Sequence, residues 1–271
     1  MARILVTNDD GVDAPGIRAL AEAARAGGHE VVVAAPVAEA SGMSAALTAV
    51  TDDGRIVLER RKLGELPAYA VAASPAYIAM LAGLGVFGPP PEVLLSGINR
   101  GANAGHAVLH SGTVGAALTA ANNGARAMAV SLDVLNPVTS AGAASGGAAI
   151  VVPDDSVLHW ATAADLAGTL LGWLAEAPPR TVLNLNVPDR APADVAGLRE
   201  ATLAGFGQAQ MAVAETGEGY VRTTVRRSGE RLVPGTDLAW LADGYATVTA
   251  IRPPAETTEV RVPAQRPAPR G

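Results

Sequence analysis

The stretch RILVTNDDGVDAPGIRALAEAARAGGHEVVVAA, residues 3 to 35, reads as one complete βαβ unit. Residues 3 to 7 are a short β-rich run. Residues 15 to 26 have helical composition, with Pro15 suited to a first turn, where its missing N–H is no loss, and Gly27-Gly28 as the stop. Residues 30 to 35 are strand again, rich in valine.

The same alternation continues outward from this unit. Residues 47 to 72 contain two or three short strand candidates around the turn signal Asp52-Asp53-Gly54, and Ser74-Pro75 opens a helix running to about residue 84. A short apolar strand is expected at 93 to 95, after Pro89-Pro90-Pro91. A helix at 113 to 123, a strand at 127 to 132, an amphipathic helix at 161 to 176 and a strand at 181 to 185 complete the pattern. Strand and helix in repeated alternation predict an α/β fold, Rossmann-like, with a mostly parallel sheet and helices on both faces.

Residues 137 to 157 are small, glycine-rich and turn-rich, and are expected to form a flexible surface loop or flap. From about 199 the character changes to alternating polar and β-branched residues, as at 220 to 225 and 247 to 251, which predicts an antiparallel β extension. The expected division is a catalytic core at 1 to 198 and an extension with a disordered tail at 199 to 271.

Composition narrows the chemistry. The chain has 271 residues, 49% of them hydrophobic, enough for a substantial core. It contains no cysteine, which excludes disulfides, zinc-thiolate sites, iron-sulfur clusters and cysteine nucleophiles, so a metal must be held by oxygen or by the four histidines. The net charge is −6, with one lysine, Lys62, and the arginines mostly scattered, which argues against a nucleic acid polymer as partner. The start lacks the long apolar core of a signal peptide and no run of about 18 apolar residues occurs, so no membrane association and a cytoplasmic location are expected.

In an open parallel sheet, ligands bind beyond the carboxyl ends of the strands. The first tip carries Asn8-Asp9-Asp10-Gly11. Two adjacent carboxylates repel unless a cation neutralises them, which favours a divalent metal, although one acid could merely cap the next helix. The second tip brings Glu39-Ala40-Ser41-Gly42 to the same edge. The third is densest, LSGINRGANAGHAVLHSGTVGAA, residues 95 to 117, where Ser96, Asn99 and Asn103 alternate with glycines. It ends in Ser111-Gly112-Thr113 at a helix start, where backbone N–H groups, hydroxyls and the helix dipole suit a phosphate. A hard cation beside an anion site describes phosphoryl chemistry. There is no G-x-x-x-x-G-K-[ST] and no G-x-G-x-x-G, and a phosphoacceptor receiver domain would need a lysine at a later strand tip.

Together, ILVTNDDGVDAPGI, APVAEASG, LSGINRGANAGHAVLHSGTVGAA and AVSL resemble the SurE family, the survival-protein 5′/3′-nucleotidases; LNLNVPD at 183 to 189 and GTDLAWLADGYATVTAI at 235 to 251 fit more loosely. The resemblance implies one Mg²⁺ or Mn²⁺ ion per subunit, ligated by Asp9, Asp10, Ser41 and Asn99. It implies that Asn8, Asn103, Ser111, Gly112 and Thr113 surround the phosphate, with Asn8, Asp9, Asp10 and Asn103 as the catalytic set. His106 and His110 lie between Asn103 and the anion site, where either could protonate a leaving alkoxide. The family's antiparallel arm implies a homodimer or homotetramer.

The implied activity is metal-dependent hydrolysis of nucleoside monophosphates or a related small phosphate ester. The chain departs from the family at Val37-Ala38-Glu39-Ala40, where basic and polar residues are usual, at Ser74-Pro75-Ala76-Tyr77, and at Thr119, where an acid is frequent. This drift leaves open a non-nucleotide phosphate, a nucleotide sugar, or binding of metal and nucleotide without turnover.

Overall fold

The computed structural model describes residues 1–134, 153–207, 209–227, 231–257 and 259. Its main sheet draws on β1 (Arg3–Thr7), β2 (Glu30–Pro36), β5 (Leu58–Leu63), β6 (Leu66–Val71), β7 (Val93–Arg100), β8 (Arg126–Asp133), β9 (Val182–Pro188), β10 (Leu198–Glu200) and β13 (Ala246–Ile251). Two small antiparallel pairs stand apart: β3 (Thr51–Asp52) with β4 (Arg55–Ile56), and β11 (Ala209–Gly217) with β12 (Tyr220–Arg227).

The nine-stranded sheet runs in the order β10-β13-β9-β8-β7-β1-β2-β6-β5. The six strands from β9 to β6 are parallel to one another, while β5 and β13 run against their neighbours β6 and β9. From β1 the chain first builds outward through β2 and β6, then crosses back to lay β7 on the other side of β1. That reversal opens a crevice beyond the carboxyl ends of β1 and β7, where such sheets bind their ligands.

Helices α1 (Pro15–Ala26) and α4 (Trp160–Glu176) cover one face, with Ile17, Leu20, Leu171 and Leu174 packed over Val33, Leu95 and Leu185. Helices α2 (Pro75–Gly83) and α3 (Gly112–Asn122) cover the other, over Leu5, Leu94 and Ala127. The facing surfaces of α2 and α3 are mostly alanine, including Ala79, Ala116, Ala117 and Ala120, so the two helices lie close together above the β1–β7 pair. No helix among the described residues is long and apolar enough to cross a membrane.

The predicted alternation of strand and helix is present, with differences at two places. β7 is longer than the expected strand at 93 to 95, because it continues through a bulge between Ser96 and Asn99 and resumes pairing with β8 at Asn99 and Arg100. Ser96 is therefore buried inside the sheet, paired in register with Thr7, and not at a strand tip. The segment at 247 to 251 also does not join the antiparallel extension. As β13 it is inserted between β9 and β10 in the main sheet, and only the hairpin of β11 and β12, joined through the short α5 (Asp237–Ala242), matches a separate antiparallel element. Of the expected flap, residues 137 to 152 lie outside the described residues, as does the tail from 260. The flap's end forms a single 3-10 turn, Asp155–Val157.

Candidate active site

A cavity of about 430 Å³ opens at the β1–β7 crevice, and its wall includes Asp9, Asp10, Ser41, Asn99, Asn103 and Ser111. Residues separated by about a hundred positions in sequence thus meet at one sheet edge. Asp9 and Asp10 follow β1 directly, and Asn99 stands at the end of β7. The loop after β2 is tied to the β1 tip by backbone bonds, Val12 N–H to Pro36 at 3.0 Å and Ala40 N–H to Asp9 at 2.7 Å, which brings Ser41 into place.

Asp9 is only 3% exposed. Burial pushes its carboxyl above the ordinary carboxylate range, opposed by the hydrogen bond it accepts from the Thr113 hydroxyl and by backbone donors that include Thr113 N–H. Asp10 is pushed up to about 7, first by burial and then by the adjacent charge of Asp9. Its Oδ2 is buried and has no hydrogen-bond partner. A buried carboxylate oxygen without a donor is costly, and a cation beside it removes that cost.

The start of α3 is organised around Asp9. Ser111 is the N-cap, accepting the Val114 N–H at 3.1 Å, and its own hydroxyl hydrogen remains able to donate into the cavity. Thr113 is fully buried; its hydroxyl also lies 3.3 Å from the Asn99 Oδ1. The anion at this helix N-terminus is therefore the Asp9 carboxylate, and the helix dipole acts on it.

Asn103 is held from behind by β8 and β9. Its N–H donates to Asn186 Oδ1 at 2.8 Å, its carbonyl accepts from Asn184 Nδ2 at 2.7 Å and Asn186 Nδ2 at 3.1 Å, and its own side-chain amide donates to Ser131 at 2.9 Å. One turn further, the Gly105 N–H donates to the fully buried Asp237 at 2.7 Å, and Asp237 also accepts from Ala204 N–H at 2.9 Å. Gly105 adopts φ +61°, and a Cβ there would overlap the Phe206 carbonyl oxygen, so only glycine lets the loop pass this close. The segments LNLNVPD and GTDLAW thus fix the loop that carries Asn103 and the 3-10 helix Gly105–His110.

The model for the survival protein SurE family matches residues 4–211. The chain belongs to the SurE family. It is 36% identical over 256 residues to the 5′-nucleotidase SurE of Rhizorhabdus wittichii, a match covering 92% of each chain. It is 35% identical over 254 residues to the 5′-nucleotidase SurE of Xanthomonas campestris pv. campestris, covering 92% of this chain and 89% of the relative. The crystal structure of the SurE protein from Aquifex aeolicus has the same fold, with a TM-score of 0.72 at 24% identity over 95% of this chain and 96% of that one.

Within this SurE fold, six of the residues singled out from sequence line the cavity: Asp9, Asp10, Ser41, Asn99, Asn103 and Ser111, with His110 as a seventh. Four others do not. Asn8 is fully buried and its amide is closed onto Gly11, donating to the carbonyl at 2.9 Å and accepting the N–H at 3.2 Å, so it shapes the acidic turn and does not line the cavity. Gly112 and Thr113 stand behind Asp9. His106 is exposed on the other side of the 3-10 helix, with its N–H on the Ala204 carbonyl at 2.9 Å. Glu39 and Arg100 line the cavity without having been singled out; both adjoin chosen residues in the motifs, which was the available signal.

The donors fit a divalent cation. Among the described residues no three acidic or histidine side chains form a metal-holding group; the oxygen donors that share the cavity wall are the carboxylates of Asp9 and Asp10 and the neutral oxygens of Ser41 and Asn99. All are oxygen donors, the kind that hard divalent cations take.

The raised carboxyl of Asp10 gives a pH prediction. Its folded pKa, about 7, lies above its ordinary value of 3.8, so the metal-free folded state binds more protons than the unfolded chain between those values. Stability of the chelated protein therefore falls as pH rises from about 4 to 7. Asp9, shifted in the same direction, adds to this slope. Differential scanning calorimetry in EDTA is expected to show Tm decreasing across that window, and Asp10→Asn to flatten it. A wild-type Tm that rises with pH through the window would contradict the assignment.

Proposed function

We propose that this chain is a metal-dependent phosphomonoesterase that releases phosphate from nucleoside 5′- or 3′-monophosphates. The observation that carries the reading is the partnerless, buried Oδ2 of Asp10 beside Asp9, on the wall of a cavity that also presents Ser111 and Asn103. The names of the Rhizorhabdus and Xanthomonas relatives support the 5′ preference.

A Mg²⁺ or Mn²⁺ ion bound by Asp9, Asp10, Ser41 and Asn99 would supply charge neutralisation at the phosphoryl oxygens and an activated water. The chain's own residues do the rest. Thr113 holds Asp9 by its hydroxyl and fixes the direction of that carboxylate. Ser111 donates its hydroxyl hydrogen to a phosphoryl oxygen while its lone pair caps α3. The Asn103 side-chain amide, held by Ser131 while Asn184 and Asn186 fix its backbone, offers its second N–H hydrogen with little reorganisation at the moment of reaction. His110, on the cavity wall, is the group we assign to protonate the departing alkoxide. The hairpin of β11 and β12, outside the main sheet, is assigned to assembly of a homodimer or homotetramer.

The test is a panel of phosphate esters incubated with the Mn²⁺-supplemented protein, with inorganic phosphate and organic product followed by mass spectrometry. Nucleoside monophosphates are expected to be turned over at least about tenfold faster than sugar phosphates, a difference of about 1.4 kcal/mol in transition-state binding. Release of phosphate from no ester on the panel overturns the reading.

A further inference from the structure

The cavity wall holds a third carboxylate. Glu39, in the loop after β2, faces the same space as Asp9 and Asp10. Its one hydrogen bond among the described residues is accepted by Oε1 from the Ser41 hydroxyl at 2.8 Å, which leaves Oε2 without a donor. No cation pairs with it among the described residues. Arg100, the arginine of the wall, is engaged by Asp155 at 3.3 Å and by the Pro153 carbonyl at 2.6 Å. The charge of Glu39 reaches the acidic tip, since it contributes repulsion at both Asp9 and Asp10.

A divalent ion on Asp9 and Asp10 cancels two negative charges and leaves that of Glu39 on the wall. We infer that Glu39 is a specificity-determining residue: it selects phosphomonoesters whose portion beyond the reacting phosphate is uncharged and carries hydrogen-bond donors, such as the ribose diol, and disfavours esters bearing a second phosphate. A hydroxyl donor satisfies Oε2. A second phosphate brings further negative charge to the same wall as the Glu39 carboxylate, where like charges a few ångströms apart repel and salt screens the repulsion. The inference rests on the phosphate-ester reading of the site.

The test compares adenosine 5′-monophosphate with adenosine 3′,5′-bisphosphate, which differ only by replacement of the 3′-hydroxyl with phosphate. The full chain and Glu39→Gln are each loaded with Mn²⁺, at low and high salt. Gln keeps an Oε1 acceptor for Ser41 and removes only the charge, at an exposed position that tolerates it. Both kcat/KM for phosphate release and calorimetric Kd are measured.

The wild type is expected to favour the monophosphate by about tenfold at low salt, the preference to shrink at high salt, and Glu39→Gln to reduce it at least about threefold. Glu39→Lys is expected to reverse it. A preference that is the same in wild type and both variants overturns the inference. Should neither ester release phosphate, the hydrolytic reading fails by itself, and the two Kd values still decide the role of Glu39.

Discussion

Asp9→Asn is expected to lower phosphate release by on the order of 10³-fold, with no recovery at any excess of Mg²⁺ or Mn²⁺. The substitution is isosteric, and the amide oxygen of Asn can still accept the Thr113 hydroxyl, so the local geometry is kept. What is lost is the negative charge that makes Asp9 a cation ligand. Folding is not the cause, because the carboxyl of Asp9 is held above its ordinary range by burial, and a neutral amide relieves that desolvation in the metal-free state. The metal-free Tm of the variant at pH 7 should therefore equal or exceed that of the wild type. Isothermal titration with Mn²⁺ should show binding weakened at least about thirtyfold, as expected for loss of a charged ligand. Chelation of the wild type should reproduce the same loss of activity, reversed by metal. Activity within tenfold of wild type in Asp9→Asn would remove this carboxylate from the reaction.

Much of the site was legible because strand tips announce themselves. An apolar strand that runs straight into Asn8-Asp9-Asp10 places those acids at the ligand edge of a parallel sheet, and the structure puts Asp9 and Asp10 there. A strand tip does not reveal which way each side chain turns. Asn8 has the same polar character as Asn99 and Asn103, yet closes onto Gly11 because an Asx side chain three residues before a turn glycine finds a backbone donor and acceptor within reach. His106 and His110 lie within one 3-10 helix, and only its packing against Ala204 decides that His110 is the one on the cavity wall.

The fold was legible to the same depth. The βαβ alternation gives the parallel sheet, but β13 has the alternating, β-branched composition of an exposed hairpin while lying between two strands. Its Thr247 and Thr249 are buried against Asn186 and Asn184 of β9, a polar seam inside the sheet that imitates a solvent face. The continuation of β7 past Gly97 was hidden for a related reason, since a bulge shifts the register by one residue and lets glycine-rich sequence resume pairing beyond it. Both misreadings arise from polar or glycine residues placed inside a sheet to serve the site beside it.

Gly112→Ala is expected to reduce kcat/KM by on the order of 10²-fold while leaving Tm nearly unchanged. Gly112 opens α3 and does not occupy the left-handed region, so alanine suits its backbone and raises helix propensity. The difficulty is what its Cβ would meet: Asp9 Oδ2 at 2.8 Å, Asp9 Cβ at 3.0 Å and Asp9 Cγ at 3.2 Å. The carboxylate must move by several tenths of an ångström, away from the Thr113 hydroxyl that fixes its other oxygen. Displacement of a reacting group by up to about 1 Å costs about 10² in rate. The double variant Asp9→Asn, Gly112→Ala separates this account from a general disturbance of α3. If Gly112 acts only by making room for Asp9, the double variant should be no less active than Asp9→Asn alone, because the group being displaced has already lost its charge. Additive losses in the double variant, or a Tm drop of more than about 5 °C in Gly112→Ala, would instead mean that the glycine serves the helix, and that the close fit between α3 and the acidic tip is incidental to the chemistry.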